Sequence, residues 1–188
     1  MAQKCSSIKA EGFTLVELVI VLSIIACISA VSIPVVASYY GNSTLKIAMY
    51  DICQVVKEAK ALSLSSDQPC AVTFNTVNST VALVSGRGED GRWNTSDDQV
   101  LRSFKVAGKG GGLRFGYGTC GPVPGLAVSD DGVTFQVNNS MVCNQDMTSN
   151  AGTVYLVSNQ GCAMALTANS SAVGYVLRRC TNGVWGKL

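Results

Sequence analysis

The sequence contains no histidine among its 188 residues, and this absence excludes several kinds of chemistry. A serine or cysteine nucleophile that uses histidine as its general base is ruled out. The haem attachment motif, which needs a histidine, is ruled out as well. No two cysteines have the Cys-x-x-Cys spacing that is typical of zinc sites. We therefore expect this chain not to be an enzyme and to bind no cofactor.

Charged residues are also scarce, at 14% of the chain, and nearly balanced, with 14 Lys+Arg against 12 Asp+Glu. The net charge of +2 gives no general attraction for nucleic acid. The C-terminal stretch is locally basic, because Arg178, Arg179 and Lys187 follow the last acidic residue, Asp146. Phosphate contacts need Lys or Arg, but adjacent residues on a strand face opposite sides. We do not expect nucleic acid to be a partner.

What the sequence does have is a long apolar run over residues 13–37, in which Glu17 is the only charged residue. A membrane-spanning helix needs about 20 apolar residues, whereas the apolar part of a secretory signal peptide has about 7–15. The run therefore predicts a retained anchor, and the alternative is a signal peptide cleaved near Ala37. Lys4 and Lys9 precede the run and favour a cytoplasmic N-terminus.

After the anchor, apolar residues recur at steps of three and four, which is typical of one apolar helical face. They are Leu45, Ala48, Met49, Ile52, Val55, Val56, Ala59 and Leu62. We expect this helix to end near residues 63–67, before Pro69. The following β-rich runs predict strands near residues 70–75, 80–85, 100–106, 113–117, 133–137, 153–158, 162–168 and 172–179. One long helix followed by antiparallel strands is an α+β fold.

Eight cysteines are present, and six of them follow the anchor, which suggests disulfides in an exported domain. If the turn of the last hairpin centres on residues 169–171, Cys162 and Cys180 lie nearly opposite each other, and we predict that they bond. A shift of one residue would place them on opposite faces and prevent the bond. Cys120 with Cys143 would then close a long loop, and Cys53 with Cys70 remains by elimination.

The residues at the start of the apolar run, Gly12-Phe13-Thr14-Leu15-Val16-Glu17, resemble the processing motif of type IV prepilins. The resemblance implies that a prepilin peptidase cuts between Gly12 and Phe13 and methylates the new N-terminal Phe13. It also implies that Glu17 and Thr14 act in assembly, with Glu17 facing the N-terminal amine of a neighbouring subunit. A carboxylate near the bilayer centre costs about 2.5–3.5 kcal/mol, and a positive partner offsets this cost.

Three later stretches resemble the H-type minor pseudopilins of type II secretion and the related FimT/FimU minor pilins. They are Gly132-Val133-Thr134-Phe135, Gly152-Thr153-Val154-Tyr155-Leu156 and Gly174-Tyr175-Val176-Leu177-Arg178-Arg179, with Trp185 near the end. The resemblance implies a pilin fold and a subunit that supports export across the outer membrane. The alternative is a minor type IV pilin that primes pilus assembly or DNA uptake. The Gly-Arg-x-Arg pattern of DNA-binding relatives is missing, because Gly174-Tyr175-Val176-Leu177 stands there.

These expectations divide the chain into a leader at 1–12, a transmembrane helix at 13–37, an amphipathic periplasmic helix at 38–66 and a β-rich head at 67–188. The protein would cross the inner membrane once, with its head in the periplasm. Its partners would be the prepilin peptidase and other pseudopilins or pilins in a filament.

The loop at residues 87–98 allows a different function, that of a membrane-tethered calcium-binding domain. The loop resembles acidic, glycine-containing loops that bind calcium in some pseudopilins, and four of its carboxylates are candidate ligands: Glu89, Asp90, Asp97 and Asp98. The spacing does not fit an EF-hand, and Arg87 and Arg92 would oppose the ion. A solvated turn is the favoured interpretation.

Overall fold

The computed structural model describes residues 14–170 and 174–188. Its one α-helix among these residues, α1, runs from Leu15 to Ser66. The chain divides into two compact units, Met1–Ser38 and Tyr39–Leu188. The predicted leader and the residues Gly12 and Phe13 lie outside the described part of the chain.

The part of α1 in the first unit is apolar on every side. Leu15–Ile33 is long and apolar enough to cross a membrane, judged by length and composition. All side chains from Leu15 to Ile33 are exposed. This segment is consistent with a single membrane anchor.

The part of α1 in the second unit is amphipathic, and its buried face follows the predicted spacing of three and four residues. The buried residues are Leu45, Ala48, Met49, Ile52, Cys53, Val55, Val56 and Ala59. The helix ends at Ser66, and Asp67 then takes a positive φ of 52°, shortly before Pro69. A proline disfavours helical backbone in the residue before it, so the stop is encoded locally.

Two antiparallel sheets follow the helix. Their strands are β1 Cys70–Asn75, β2 Thr80–Val84, β3 Val100–Lys105, β4 Arg114–Phe115, β5 Ser140–Cys143, β6 Gly152–Val157, β7 Ala163–Ala168, β8 Tyr175–Thr181 and β9 Val184–Lys187. One sheet has the order β3-β2-β1-β5, and the other has the order β4-β6-β7-β8-β9. The predicted α+β class is confirmed.

The main core is formed by the buried face of α1 and by one face of each sheet. Phe74 on β1 stacks on Phe135 at 5.6 Å between ring centroids and meets Phe115 edge-on at 6.2 Å. Side chains alternate along a strand, so Val154 and Leu156 of β6 face this core while Tyr155 faces away from it.

The second face of the five-stranded sheet is covered by the segment that leads from β4 to β5. Tyr155 and Ala165 pack there with Val123, and Trp185 lies 5.8 Å from the Tyr155 ring. The Tyr155 hydroxyl accepts a hydrogen bond from the backbone N–H of Val123. This segment contains a short 3-10 helix, Gly118–Cys120, which places Cys120 over the sheet.

Three strand predictions differ from the structure: β5 and β9 lie outside all the predicted runs, and the run at residues 133–137 forms no strand. Residues 140–143 form β5 because they pair with β1, although none of the predicted β-rich runs includes them. Residues 133–137 form no strand and make only isolated bridges, from Val133 to Val154 and from Val137 to Ser140. The backbone N–H of Val133 is instead bonded to the Asp131 carboxylate.

Candidate functional site

The start of α1 is organised by Thr14. The Thr14 hydroxyl accepts a hydrogen bond from the backbone N–H of Glu17 at 3.2 Å, and its carbonyl accepts one from Leu18 at 3.2 Å. Thr14 is therefore the N-cap of the helix, and Thr-x-x-Glu is the sequence pattern of a capping box. The start of the helix is therefore encoded locally in the sequence.

Glu17 lies in the first turn of α1 and is exposed. The N-terminal end of a helix carries a partial positive charge, which favours a carboxylate there. In a bilayer, this local field is a weak substitute for water, and a discrete positive group is needed to offset the remaining cost. The described part of the chain has no ion pair to Glu17.

The remaining polar groups of the apolar helix are satisfied within it. The hydroxyls of Ser23, Ser29 and Ser32 donate to the carbonyls four residues earlier, at 2.8 to 2.9 Å. In a bilayer, polar groups have to be satisfied internally. The helix surface is thus apolar apart from Glu17, and it is suited to contact lipid tails or other apolar helices.

The four calcium candidates lie in a loop that uses its carboxylates internally. Asp97 accepts hydrogen bonds from the backbone N–H groups of Glu89 and Asp90, and Asp98 accepts one from Asn94. A hydrogen bond from the Thr95 hydroxyl, together with these backbone donors, lowers the pKa of Asp97. Among the described residues, no three His, Cys, Asp or Glu side chains are grouped to hold a metal. The loop is a hydrogen-bonded turn in which Asp97 and Asp98 accept hydrogen bonds from their own loop.

The predicted pairing of Cys162 with Cys180 is wrong. Met164 lies opposite Arg179 in the register of β7 and β8, one residue away from the predicted alignment. Cys180 therefore faces the outer side of the sheet, whereas Cys162 packs against the main core. This is the one-residue shift that separates the two sulfur atoms.

The predicted pairing of Cys120 with Cys143 is also wrong, because Cys120 bonds to Cys180 with a Cα–Cα distance of 6.4 Å. The segment between β4 and β5, residues 116–139, is called the outer segment below. The Cys120–Cys180 bond fastens this outer segment to β8. Cys53 and Cys70, which were paired by elimination, are both buried free thiols. Cys70 instead lies opposite Cys143.

The two adjacent arginines near the C-terminus belong to different faces of the sheet. Arg178 donates a hydrogen bond to the Thr167 hydroxyl at 2.9 Å. Arg179 donates to the Asn42 side-chain oxygen on α1 at 3.3 Å. The two guanidinium groups therefore do not form one basic surface.

The chain was compared with protein families, curated sequences and solved structures. Residues 8–33 match the family described as the prokaryotic N-terminal methylation motif. Among solved structures, the chain is similar to the minor pseudopilin EpsH from the type 2 secretion system of Vibrio cholerae. The two share 12% identity over 74% of this chain and 98% of that chain, with a TM-score of 0.47. No curated protein sequence matches the chain. The chain carries a methylation motif at an apolar helix, which is the N-terminal arrangement of type IV pilin-like proteins.

Proposed function

We propose that this protein is a minor pseudopilin of a type II secretion system, a non-enzymatic subunit that assembles through α1. A prepilin peptidase removes residues 1–12 and methylates Phe13. The apolar helix holds the protein in the inner membrane, and the second unit faces the periplasm. The filament supports protein export across the outer membrane.

One observation carries the proposal: an apolar helix with exposed side chains has a single carboxylate in its first turn, and the methylation motif matched at residues 8–33 includes that turn. Cleavage after Gly12 creates a new amine at Phe13, four residues before Glu17. In a filament, the Glu17 carboxylate of one subunit meets that amine on a neighbour. The ion pair offsets the burial of both charges and fixes the axial register between subunits.

The three C-terminal sequence stretches resemble minor pseudopilins and minor pilins alike, so phenotype rather than sequence separates secretion from pilus assembly. They form β6, β8 and the loop before β5, and so belong to the second unit alone. A minor type IV pilin would use the same helix and the same ion pair. The two functions differ in phenotype, and deletion of the gene distinguishes them. Loss of exported proteins from the medium with surface pili intact supports the proposal. Loss of surface pili with protein export intact assigns the chain to pilus assembly instead.

Assembly is tested with Glu17→Gln, which keeps the size of the side chain and removes its charge. We expect E17Q to be processed and to stay in the membrane fraction. Its chemical cross-linking to other filament subunits should fall at least about tenfold, the factor given by a loss of about 1.4 kcal/mol.

Ser23→Ala is the matched control, because the Ser23 hydroxyl is uncharged and is bonded within its own helix. S23A should cross-link like the unmodified protein. Normal cross-linking by E17Q would contradict the proposed role of the carboxylate, while equal losses in both variants would show that the helix surface as a whole was perturbed.

A further inference from the structure

Cys70 and Cys143 face each other across two adjacent strands. Cys70 begins β1, Cys143 ends β5, and the antiparallel register pairs them directly. Each side chain has 0% of its surface exposed. Because side chains alternate along a strand, Cys70 lies on the same face as Val72, and Cys143 on the same face as Met141. Val72 and Met141 are themselves a register pair within the main core, so both thiols point toward that side of the sheet.

The hydrogen-bond pattern shows which kind of register pair this is. The backbone N–H of Phe74 donates to the carbonyl of Asn139 at 2.9 Å, in the same register as β1 and β5. Hydrogen-bonded pairs alternate with non-bonded pairs along an antiparallel ladder, so Cys70 and Cys143 occupy a hydrogen-bonded position. Cα atoms at such positions lie about 5.5 Å apart, within the range of 4.4–6.8 Å that disulfides span. Their Cβ atoms, about 5–5.5 Å apart in such pairs, have to move to within about 4.5 Å for the bond to form between the two thiols, which are free in this structure.

We propose that Cys70 and Cys143 form a second disulfide, which joins β1 to β5 when the domain folds in the presence of a disulfide oxidant. The thiolate of one cysteine attacks the oxidant's sulfur–sulfur bond, forms a mixed disulfide and releases one thiol. The second cysteine then attacks the mixed disulfide, the Cys70–Cys143 bond forms, and a second thiol leaves. The two cysteines lose two electrons and two protons, and the oxidant becomes two thiols.

The burial of both thiols determines when the bond forms. Burial raises the pKa of Cys143 to about 11, Lys60 opposes the rise, and the neighbouring Cys70 adds to it. Burial also raises the pKa of Cys70. Only the thiolate attacks a disulfide, so the folded dithiol reacts slowly. The bond therefore forms while β5 is still docking on β1, and the completed sheet then shields it from reductants.

The other free cysteines of this unit occupy different surroundings. Cys53 lies on α1 beside Lys57 and Tyr175, and burial raises its pKa to about 11. Cys162 precedes β7 in the other sheet. Neither is in register with Cys70 or Cys143. The proposal does not depend on filament assembly, since it concerns the fold of the second unit alone.

Peptide mapping tests the pairing directly. The full chain is refolded in detergent with reduced and oxidised glutathione, free thiols are alkylated under denaturing conditions, and the protein is cleaved with cyanogen bromide and trypsin. Cleavage after Met141 and Met147 isolates Cys143 in residues 142–147, and trypsin isolates Cys70 in residues 61–87. We expect these two peptides to be linked in most molecules. Alkylation of both cysteines, or linkage of either to Cys53 or Cys162, would overturn the proposal.

The second measurement separates this bond from the one between Cys120 and Cys180. In the variant C120A/C180A, reduction should still lower the denaturant midpoint of unfolding, because the Cys70–Cys143 bond remains. Adding Cys70→Ala should abolish this redox dependence, whereas adding Cys53→Ala should preserve it. A C120A/C180A variant with the same midpoint in both redox states would contradict the proposal. If that variant does not fold, the peptide map of the unmodified chain decides alone.

Discussion

Asp131 links the outer segment to the entry of β5. Its carboxylate accepts hydrogen bonds from the Ser129 hydroxyl, the Asn139 amide and the backbone N–H of Val133. Burial raises the pKa of Asp131, but these three donors outweigh burial and hold the pKa below its usual value. A carboxyl group whose pKa is lowered by folding stabilises the protein above its unfolded pKa, and this contribution is lost as the pH falls through the folded pKa.

Asp131→Asn should therefore lower the free energy of unfolding at pH 7 by about 1–3 kcal/mol, since it removes the charge from a hydrogen-bonded group. The deficit should shrink as the pH falls from 5 to 2, because the unmodified protein then loses the same charge. Urea unfolding, monitored by tryptophan fluorescence, measures the free energy of unfolding at pH 7 and at low pH. The exposed neighbour Asp130, changed to Asn, is the control and should change stability little. A deficit of the same size at pH 7 and pH 2 would contradict the account.

Gly132 is required for a close approach as well as for its backbone conformation. Its φ is +77°, and an added Cβ would overlap the backbone nitrogen of Gly116. Gly125 has almost the same φ, +78°, with nothing within 4 Å of an added Cβ.

Comparing Gly125 with Gly132 separates the cost of a positive φ from the cost of the close backbone approach. Gly125→Ala should cost about 1–2 kcal/mol for the positive φ alone. Gly132→Ala should cost at least about twice as much, because a backbone segment also has to move. Thermal or urea unfolding of both variants measures the difference, and equal costs would mean that the close approach to Gly116 is unimportant.

At the scale of elements, two ion pairs connect α1 to the region of β3. Lys109 contacts Asp51 at 2.6 Å, and both side chains are partly buried. Lys109 also lies 5.1 Å from the ring centroid of Phe104. Arg102 contacts Glu58 at 3.3 Å, and both side chains are about half exposed.

Double-mutant cycles should rank these pairs. We expect a coupling energy of about 1 kcal/mol for Lys109 with Asp51 and less than about 0.5 kcal/mol for Arg102 with Glu58. The second coupling should also fall more steeply with added salt, because exposed charges are screened more strongly. A larger coupling for Arg102 with Glu58 would show that burial does not decide the strength of these pairs.

The sequence predicted those elements whose signal is local. The spacing of apolar residues indicated the amphipathic part of α1, and Pro69 indicated its end. The sequence did not predict β5, because Ser140–Cys143 is short and takes its strand conformation from pairing with β1. The register of β7 and β8 depends on the turn between them, and residues 171–173 of that turn lie outside the described chain. An error of one residue there was enough to mispair Cys162 with Cys180.

At the scale of the whole molecule, the Cys120–Cys180 bond joins positions 60 residues apart. No local sequence pattern could predict this pairing, because it requires the outer segment to fold over a sheet formed mostly by later strands. The candidate assembly segment was easier to predict, since Thr14, Glu17 and the apolar run are contiguous.

Removal of this bond should loosen the outer segment. In C120A/C180A, the free energy of unfolding should fall by about 2–4 kcal/mol. Limited proteolysis should then cleave residues 116–136 before the rest of the second unit. Cys27→Ala, which changes a free and exposed cysteine of the apolar helix, is the control and should alter neither result. Equal protease resistance with and without the bond would show that packing of Tyr155 and Val123 holds the segment alone.

The most direct test of the central claim is the mass of the N-terminal peptide after expression with a prepilin peptidase. The account predicts a peptide that begins at Phe13 and carries one added methyl group, with the apolar helix retained on the mature protein. A peptide that begins after Ala30 or Ala37 would mean cleavage by signal peptidase and loss of the anchor. That result would contradict assembly through α1.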